Sequence, residues 1–536
     1  MQNKWRKGFL WILPFLTLTA CQYKVKTPKE KKIKKDCVEE QMYRPIIHFS
    51  PQKNWMNDPN GMFYYKGKYH LYFQYHPDSN GWGPMHWGHA ISKDLINWEE
   101  QPIALYPDEL GTIFSGSVVV DHNNTSGFGT PETPPIIAFY TNHDGAAEKE
   151  GSLFFQTQSI AYSLDEGQTW IKYSKNPVIK NSGIRDFRDP KVIWYEKEQK
   201  WILTLAAGQQ TQFYVSNDLK QWRYLSSFGE GIGNHNGVWE CPDLFKLPIK
   251  GTEETKWVHL VSINPGGPNG GSATQYFVGD FDGKQFVVDP LFESKMKRNH
   301  DFWIDFGKDN YAGVTFSNWK SAAAGVLFLG WMSNWEYANV VPTTLWRGTM
   351  TLGRELELFK TQQGEYRLRS IAPSNWDSYV TKTVKKEKLV VNKTTQLLAK
   401  NTIDLSAARI QTTLSGLENT QVNFELANNK GDALVFGYDS KKDQFFIDRG
   451  QSGKTNFSEN FSKTPSLAPR QSTEENLEIE IFLDKTSIEL FFDKGTTVMT
   501  EIFFPNALFE TLTLRSSDSK IGLEHLVVQE LKKQNK

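Results

Sequence analysis

Tyr69-His70-Leu71-Tyr72-Phe73-Gln74-Tyr75 is an aromatic, strand-forming run, and the chain echoes it four more times. The echoes are Ile136-Ile137-Ala138-Phe139-Tyr140-Thr141, Lys200-Trp201-Ile202-Leu203-Thr204-Leu205, Lys256-Trp257-Val258-His259-Leu260-Val261 and Gly325-Val326-Leu327-Phe328-Leu329-Gly330-Trp331. The five starts, at 69, 136, 200, 256 and 325, stand 67, 64, 56 and 69 residues apart. Between them lie short β-branched and aromatic runs divided by Gly, Pro, Asn and Asp, the pattern of strands and turns. A second marker follows three of the starts: Ser92-Lys93-Asp94-Leu95-Ile96-Asn97-Trp98, Ser163 to Trp170, and Ser216 to Trp222. Each reads as a turn leading into an aromatic strand start. A steady period with several strands per unit predicts an all-β fold, a five-bladed β-propeller whose four-stranded blades surround a channel. The period is longer than that of common propeller repeats, so the blades carry long loops. An irregular all-β protein with coincidental spacing is the competing reading.

The repeats end near Arg354-Glu355-Leu356, which assigns 43–356 to the propeller and 357–384 to a linker. Beyond it, Leu477 to Phe482 and Ser487 to Phe492 alternate with period 2, which predicts a β-sandwich over 385–536 with one wet face per sheet. Composition changes at the same place: the last of 18 Trp residues is Trp376. A chain of 536 residues is in any case too long for one ordinary domain.

Lys+Arg and Asp+Glu both number 61, so no basic field points to nucleic acid, and none is expected as a partner. The N-terminus reads as a targeting segment, 1–20, with Lys4, Arg6 and Lys7 before an apolar stretch from Phe9 to Ala20. It ends in Leu18-Thr19-Ala20-Cys21, which is similar to a bacterial lipoprotein signal with Cys21 as the lipidated residue. An ordinary secretory signal before an unrelated cysteine is the alternative. The lysine-rich stretch 21–42 then reads as a tether, and the protein is expected at the cell envelope, membrane-anchored through lipid on Cys21. Cys37 and Cys241 are the remaining cysteines, too few for a disulfide framework. Histidines are scattered, and neither metal nor cofactor is expected.

Three acids stand beside or next to proline where a blade's innermost strand opens: Asn57-Asp58-Pro59, Arg188-Asp189-Pro190 and Glu240-Cys241-Pro242. Asp58 and Asp189 are 131 residues apart, close to two repeats, and Glu240 lies 51 further on, close to one. Innermost strands face the axis, so blades 1, 3 and 4 bring the three carboxylates to one end of the channel. Such a cluster, without Cys or His partners, suits hard-cation binding or glycoside cleavage. The local pattern is not a calcium loop. Trp55, Trp82, Trp87, Phe114, Trp239 and Trp335 stand near the blade openings, each either a sugar-stacking face or ordinary core.

Trp55 to Gly61, Phe114-Ser115-Gly116-Ser117, Arg188-Asp189-Pro190 and Trp239-Glu240-Cys241-Pro242 resemble the signature motifs of glycoside hydrolase family 32, which includes invertases, inulinases and levanases. Ser262 to Gly267, Trp335-Glu336-Tyr337-Ala338 and Phe446-Ile447-Asp448-Arg449 extend the resemblance over about 43–536. It implies a propeller joined to a sandwich, and retaining hydrolysis of β-fructofuranosyl linkages in fructans and sucrose. On the matching motifs, Asp58 is the implied nucleophile, Glu240 the general acid/base, and Asp189 the group that holds fructose hydroxyls in the transition state. Asn57, Gln74, Trp82, Phe114, Ser115, Arg188 and Trp335 are implied to bind substrate. Cys241 reads as a small buried residue. One departure stands out: the Arg354-Glu355-Leu356 motif is preceded by Gly353 where the family has proline, which puts the domain packing in doubt. Two rival functions remain, a fructosyltransferase on the same fold and a surface fructan-binding protein without turnover.

Overall fold

Each aromatic run that sets the repeat becomes the buried second strand of an antiparallel sheet, flanked by the strands its turn signals delimit. The computed structural model describes residues 38–533 apart from 131, 320–324 and 518–519. The targeting segment, Cys21 and Cys37 therefore lie outside the described residues.

The innermost strands of the five blades are Asn54–Tyr65, Thr112–Val120, Phe187–Tyr195, Val238–Pro248 and Tyr311–Thr315. Their second strands are Lys68–His76, Ile136–His143, Lys200–Ala207, Thr255–Asn264 and Val326–Trp331. The innermost strands neighbour one another in order around the axis. Blade 5 closes the ring on blade 1 where Ser317 pairs with Phe63. The Ser-to-Trp markers are the turns between third and fourth strands. In two of them the backbone N–H groups after the acid donate to its Oδ1, from Ile96 and Asn97 to Asp94 and from Lys220 and Gln221 to Asp218. In the third, Gln168 and Thr169 donate to Asp165.

All five innermost strands carry a bulge at the same height, with two residues facing one on the second strand. The bulged pairs are Asn57-Asp58, Phe114-Ser115, Asp189-Pro190, Cys241-Pro242 and Ala312-Gly313. The first residue of the pair has a left-handed backbone in blades 3 to 5, at Asp189 (φ 66), Cys241 (φ 45) and Ala312 (φ 53). Bulges re-aim side chains and free a residue from the ladder, which is also why proline is accepted inside or beside them. Pro59, Pro190 and Pro242 thus sit within strands and not at their first residues.

Deeper in the channel than the bulges, Lys191 of blade 3 reaches toward blades 4 and 5. Its ammonium lies 3.0 Å from Asp243 and donates to the Thr315 carbonyl at 2.6 Å. Asp243 Oδ2 also accepts from the Thr315 backbone N–H, so three innermost strands are tied at a buried point.

The stretch read as a linker does not behave as one. Arg354–Lys360 and Tyr366–Ile371 are the third and fourth strands of blade 5, and the sandwich already begins at Val380–Val391. The reason is an excursion of 332–353 inside blade 5, which postpones its outer strands beyond the expected repeat. Part of it, Trp346–Arg347, pairs in parallel with Asn54 and Trp55 of blade 1. The tether reading is also too long: Glu39 is buried and accepts from Thr344 and Leu345.

Two six-stranded antiparallel sheets form the sandwich. Its contact with the propeller is buried, with ion pairs set among apolar clusters that join, for example, Ile96 and Leu352 to Phe482 and Phe491. Arg354 donates to Glu489 at 3.0 Å and to Asp305 at 2.8 Å, while Arg449 reaches Asp309 at 2.6 Å. His48 lies between Asp484 and Glu489, at 2.9 and 2.8 Å. Gly353 does not loosen this contact, because Leu352 N–H and the Arg354 guanidinium on either side of it are both held by Glu489.

Candidate active site

A cavity of about 310 Å³ opens at the bulged end of the channel, and all ten residues singled out as catalytic or substrate-binding line it. They are Asn57, Asp58, Gln74, Trp82, Phe114, Ser115, Arg188, Asp189, Glu240 and Trp335. The bulges explain the convergence more finely than the repeat count does. Asp58 and Ser115 are second residues of their bulges, Asp189 is a first residue, and Glu240 directly precedes one. The acids therefore occupy adjacent registers and not one shared register.

Each acid has its own surroundings. Asp58 Oδ2 accepts from Ser115 Oγ at 3.1 Å, whereas Oδ1 is closed to solvent and has no hydrogen-bond partner among the described residues. Asp189 Oδ2 accepts from the Cys241 backbone N–H at 3.0 Å, and its own N–H donates to Thr141 Oγ1. Glu240 Oε1 accepts two N–H bonds from Arg188, at 3.1 and 2.9 Å, and Oε2 accepts from the Tyr311 hydroxyl. The same guanidinium donates to Asp186 at 2.7 Å.

Burial, then the charge of Glu240, pushes Asp58 up to about 7, against hydrogen bonds from Asn57 and Ser115 that favour its charged form. Burial also raises Asp189, to about 6, with Arg188 pulling down and Glu240 pushing up. Burial alone would weaken the Arg188 charge, but Glu240, Asp189 and Asp186 more than reverse that. Burial raises the Cys241 thiol well above its ordinary range, so it packs as a neutral group 3.6 Å from Asp189.

The aromatic candidates divide. Trp55, Trp87 and Trp239 are fully buried core, while Trp82 is 47% exposed at the rim. Phe114 stacks face to face on His143 at 4.2 Å, and Trp335 stacks on buried Trp55 at 5.8 Å. Several cavity residues were not anticipated: His143, Glu148, Phe155, Gln156 and Asp186 also line it, and Tyr311 touches Glu240. Tyr311 directly precedes the blade-5 bulge, the register Glu240 holds in blade 4, so repeat alignment extended to non-acidic residues finds it. Of the others, Phe155 and Asp186 lie on loops, Glu148 on a short helix, and His143 and Gln156 at the ends of the strands that flank it.

Such a site, with two carboxyl groups in unlike environments and a third beside them, is equipped to form and cleave a sugar ester. Comparison with known proteins agrees. Residues 48–370 match the N-terminal domain of glycosyl hydrolases family 32, and residues 375–530 match the C-terminal domain of the same family. The levanase of Bacillus subtilis is 44% identical over 506 residues, covering 92% of this chain and 71% of that protein. An extracellular exo-inulinase of Aspergillus niger is 38% identical over 502 residues, covering 87% of this chain and 90% of its own. Among solved structures, exo-inulinase from Aspergillus awamori superposes with a TM-score of 0.82 at 35% identity, covering 92% of this chain and 99% of that one. The β-fructofuranosidase from Schwanniomyces occidentalis, complexed with fructosyl-erythritol, gives 0.82 at 36%, covering 92% and 98%. On these matches, over both of its halves, the chain belongs to glycoside hydrolase family 32 and is a glycosidase.

Proposed function

We propose that the protein is a retaining hydrolase of β-D-fructofuranosyl linkages, acting on fructans of the levan or inulin type and on sucrose. The observation that carries this is the convergence of Asp58, Asp189 and Glu240 with Arg188 in one cavity of about 310 Å³. Its size suits one terminal sugar ring, which supports attack at chain ends. Relatives named levanase, exo-inulinase and invertase support the substrate class.

In the first step the carboxylate of Asp58 attacks the anomeric carbon of the fructosyl unit. The bond to the leaving oxygen breaks, and Glu240 donates its proton to that oxygen. Asn57, Gln74 and Ser115 hold the ring, and Asp189 accepts from fructose hydroxyls as the ring becomes oxocarbenium-like. Arg188 and Tyr311 fix both oxygens of Glu240. In the second step Glu240 takes a proton from water, which attacks the ester and releases fructose with its configuration retained. Trp82, Phe114 and Trp335 supply apolar faces.

Digesting levan, inulin and sucrose in parallel and resolving the products tests this. Fructose release from wild type, lost in Asp58→Ala, is expected. Growing oligomers from sucrose alone would make the protein a transferase, and tight binding of fructan without any release would make it a binding protein.

For location, the Leu18-Thr19-Ala20-Cys21 stretch and the extracellular relatives support a secreted enzyme held at the cell envelope by lipid on Cys21. Cys21→Ala should move the enzyme from the membrane fraction to the medium.

A further inference from the structure

Blade 3 passes from its second to its third strand in two residues, Gly208-Gln209, whereas blade 2 takes twelve, 144–155. This excursion is firmly built. Asp144 caps a short helix, Gly145–Lys149, by accepting from Ala146 and Ala147 N–H, and Asn181, on the connection from blade 2 to blade 3, donates to the Leu153 carbonyl at 3.0 Å. Its Glu148 and Phe155 line the catalytic cavity beside His143, the last residue before the excursion.

Glu148 is aimed by a chain of hydrogen bonds whose direction is determined. The Phe187 backbone N–H donates to Gln156 Oε1 at 2.8 Å, and Arg188 approaches the same oxygen at 3.5 Å. The Gln156 amide nitrogen must then face His143 Nδ1, 3.3 Å away, and donate to it. His143, whose charged form burial disfavours, so carries its proton on Nε2, which points at Glu148 Oε2 at 3.3 Å. Arg185 holds the other oxygen at 3.2 Å. Each oxygen keeps an unused lone pair, and the side chain stays 34% exposed. The Arg188 that begins this chain also holds Glu240, so Glu148 is registered to the group that protonates the leaving oxygen. Phe154, next to cavity-lining Phe155, is 63% exposed, and Leu153 before it is exposed as well. Its ring tip stands 3.7 Å from where a side chain at Gly183 would begin, and the glycine leaves that side bare.

We propose that the Asp144–Phe155 excursion is the binding wall for sugars on the leaving side of the scissile bond. Glu148 accepts a hydroxyl hydrogen bond from the leaving sugar, and Phe154 offers its ring to the following unit of the chain. This rests on the hydrolytic reading above and adds to it which residues read substrate length. A fructan chain presents alternating hydroxyls and apolar ring faces, which match a carboxylate followed by an aromatic ring.

The test uses purified full-length enzyme and a substrate series of two, three, four and many sugar units, with fructose as a competitive inhibitor. Phe154→Ala should leave kcat/KM for sucrose unchanged and lower it about tenfold for the tetrasaccharide and polymer, through KM. Glu148→Gln should raise KM from sucrose upward by about tenfold while the inhibition constant of fructose stays put. An equal loss on every length, or none on any, overturns the assignment of Phe154. A fructose inhibition constant that rises with the KM for sucrose overturns that of Glu148. Failure of the hydrolytic reading itself is distinguishable, since wild type would then release no fructose from any member of the series.

Discussion

Asp58 shows how a single residue balances stability against chemistry. Its folded pKa of about 7 lies above the ordinary 3.8, so ionising it costs the fold free energy that accumulates as pH rises between those values. Asp58→Asn should therefore lower kcat by more than about a thousandfold while stabilising the protein at neutral pH by roughly 1–3 kcal/mol. A melting temperature that falls in this variant would contradict the account. Glu240→Gln removes the charge that, after burial, raises Asp58 most, so the Asp58 titration should move downward from about 7. Carboxyl-carbon NMR across pH 3–9 reads this directly, and an unmoved titration would remove Glu240 from the causes. The three acids were legible in the sequence because proline marks them and their spacing follows the repeat. Glu148 and Asp186 were not, since a carboxylate on a short helix or a loop outside the repeat looks like any solvated one.

Among the elements, the innermost strands carry the argument. Lys191, Asp243 and Thr315 tie blades 3, 4 and 5 at a buried point. Lys191→Met strands the Asp243 charge and should cost about 3–5 kcal/mol, whereas Lys191→Met with Asp243→Leu should cost less than the single change. Urea unfolding of the two variants compares them, and a double variant weaker than the single would refute the pairing. The turns make a second comparison. Asp94 holds its own turn and also accepts from the Tyr379 hydroxyl at 2.7 Å, a tie to the start of the sandwich that Asp218 lacks. Asp94→Ala should accordingly destabilise more than Asp218→Ala. Repeating strands and turns could be read from residue type alone. The bulges could be read only in part: Phe114-Ser115 and Ala312-Gly313 contain neither acid nor proline, and nothing local distinguishes them from ordinary strand. The linker reading failed for a related reason, since a period cannot reveal strands displaced by a long excursion.

At the scale of the whole molecule, buried ion pairs cross the junction of propeller and sandwich among apolar clusters that also span it. Burial alone would depress His48, but hydrogen bonds from its ring to Asp484 and Glu489 more than reverse this and hold it at about 9. Its folded pKa exceeds the unfolded 6.5, so its contribution is complete below pH 6.5 and is lost as pH rises through about 9. Wild type should lose thermal stability between pH 7 and 10 more steeply than His48→Gln, and parallel slopes would exclude the histidine as the cause. The sequence suggested a weak junction at Gly353, because Glu489, the sandwich partner of Arg354, lies 135 residues away and no local pattern announces it. The strut at Lys191 has a further consequence, for the order of events in degrading a polymer. On the chain-end reading proposed above, Lys191, Asp243 and Thr315, buried across the channel below the reacting sugar, leave the freed monomer the opening through which the chain entered. The shortened chain must withdraw before the monomer escapes, so the enzyme should be distributive, trimming many chains by one unit each before any is consumed.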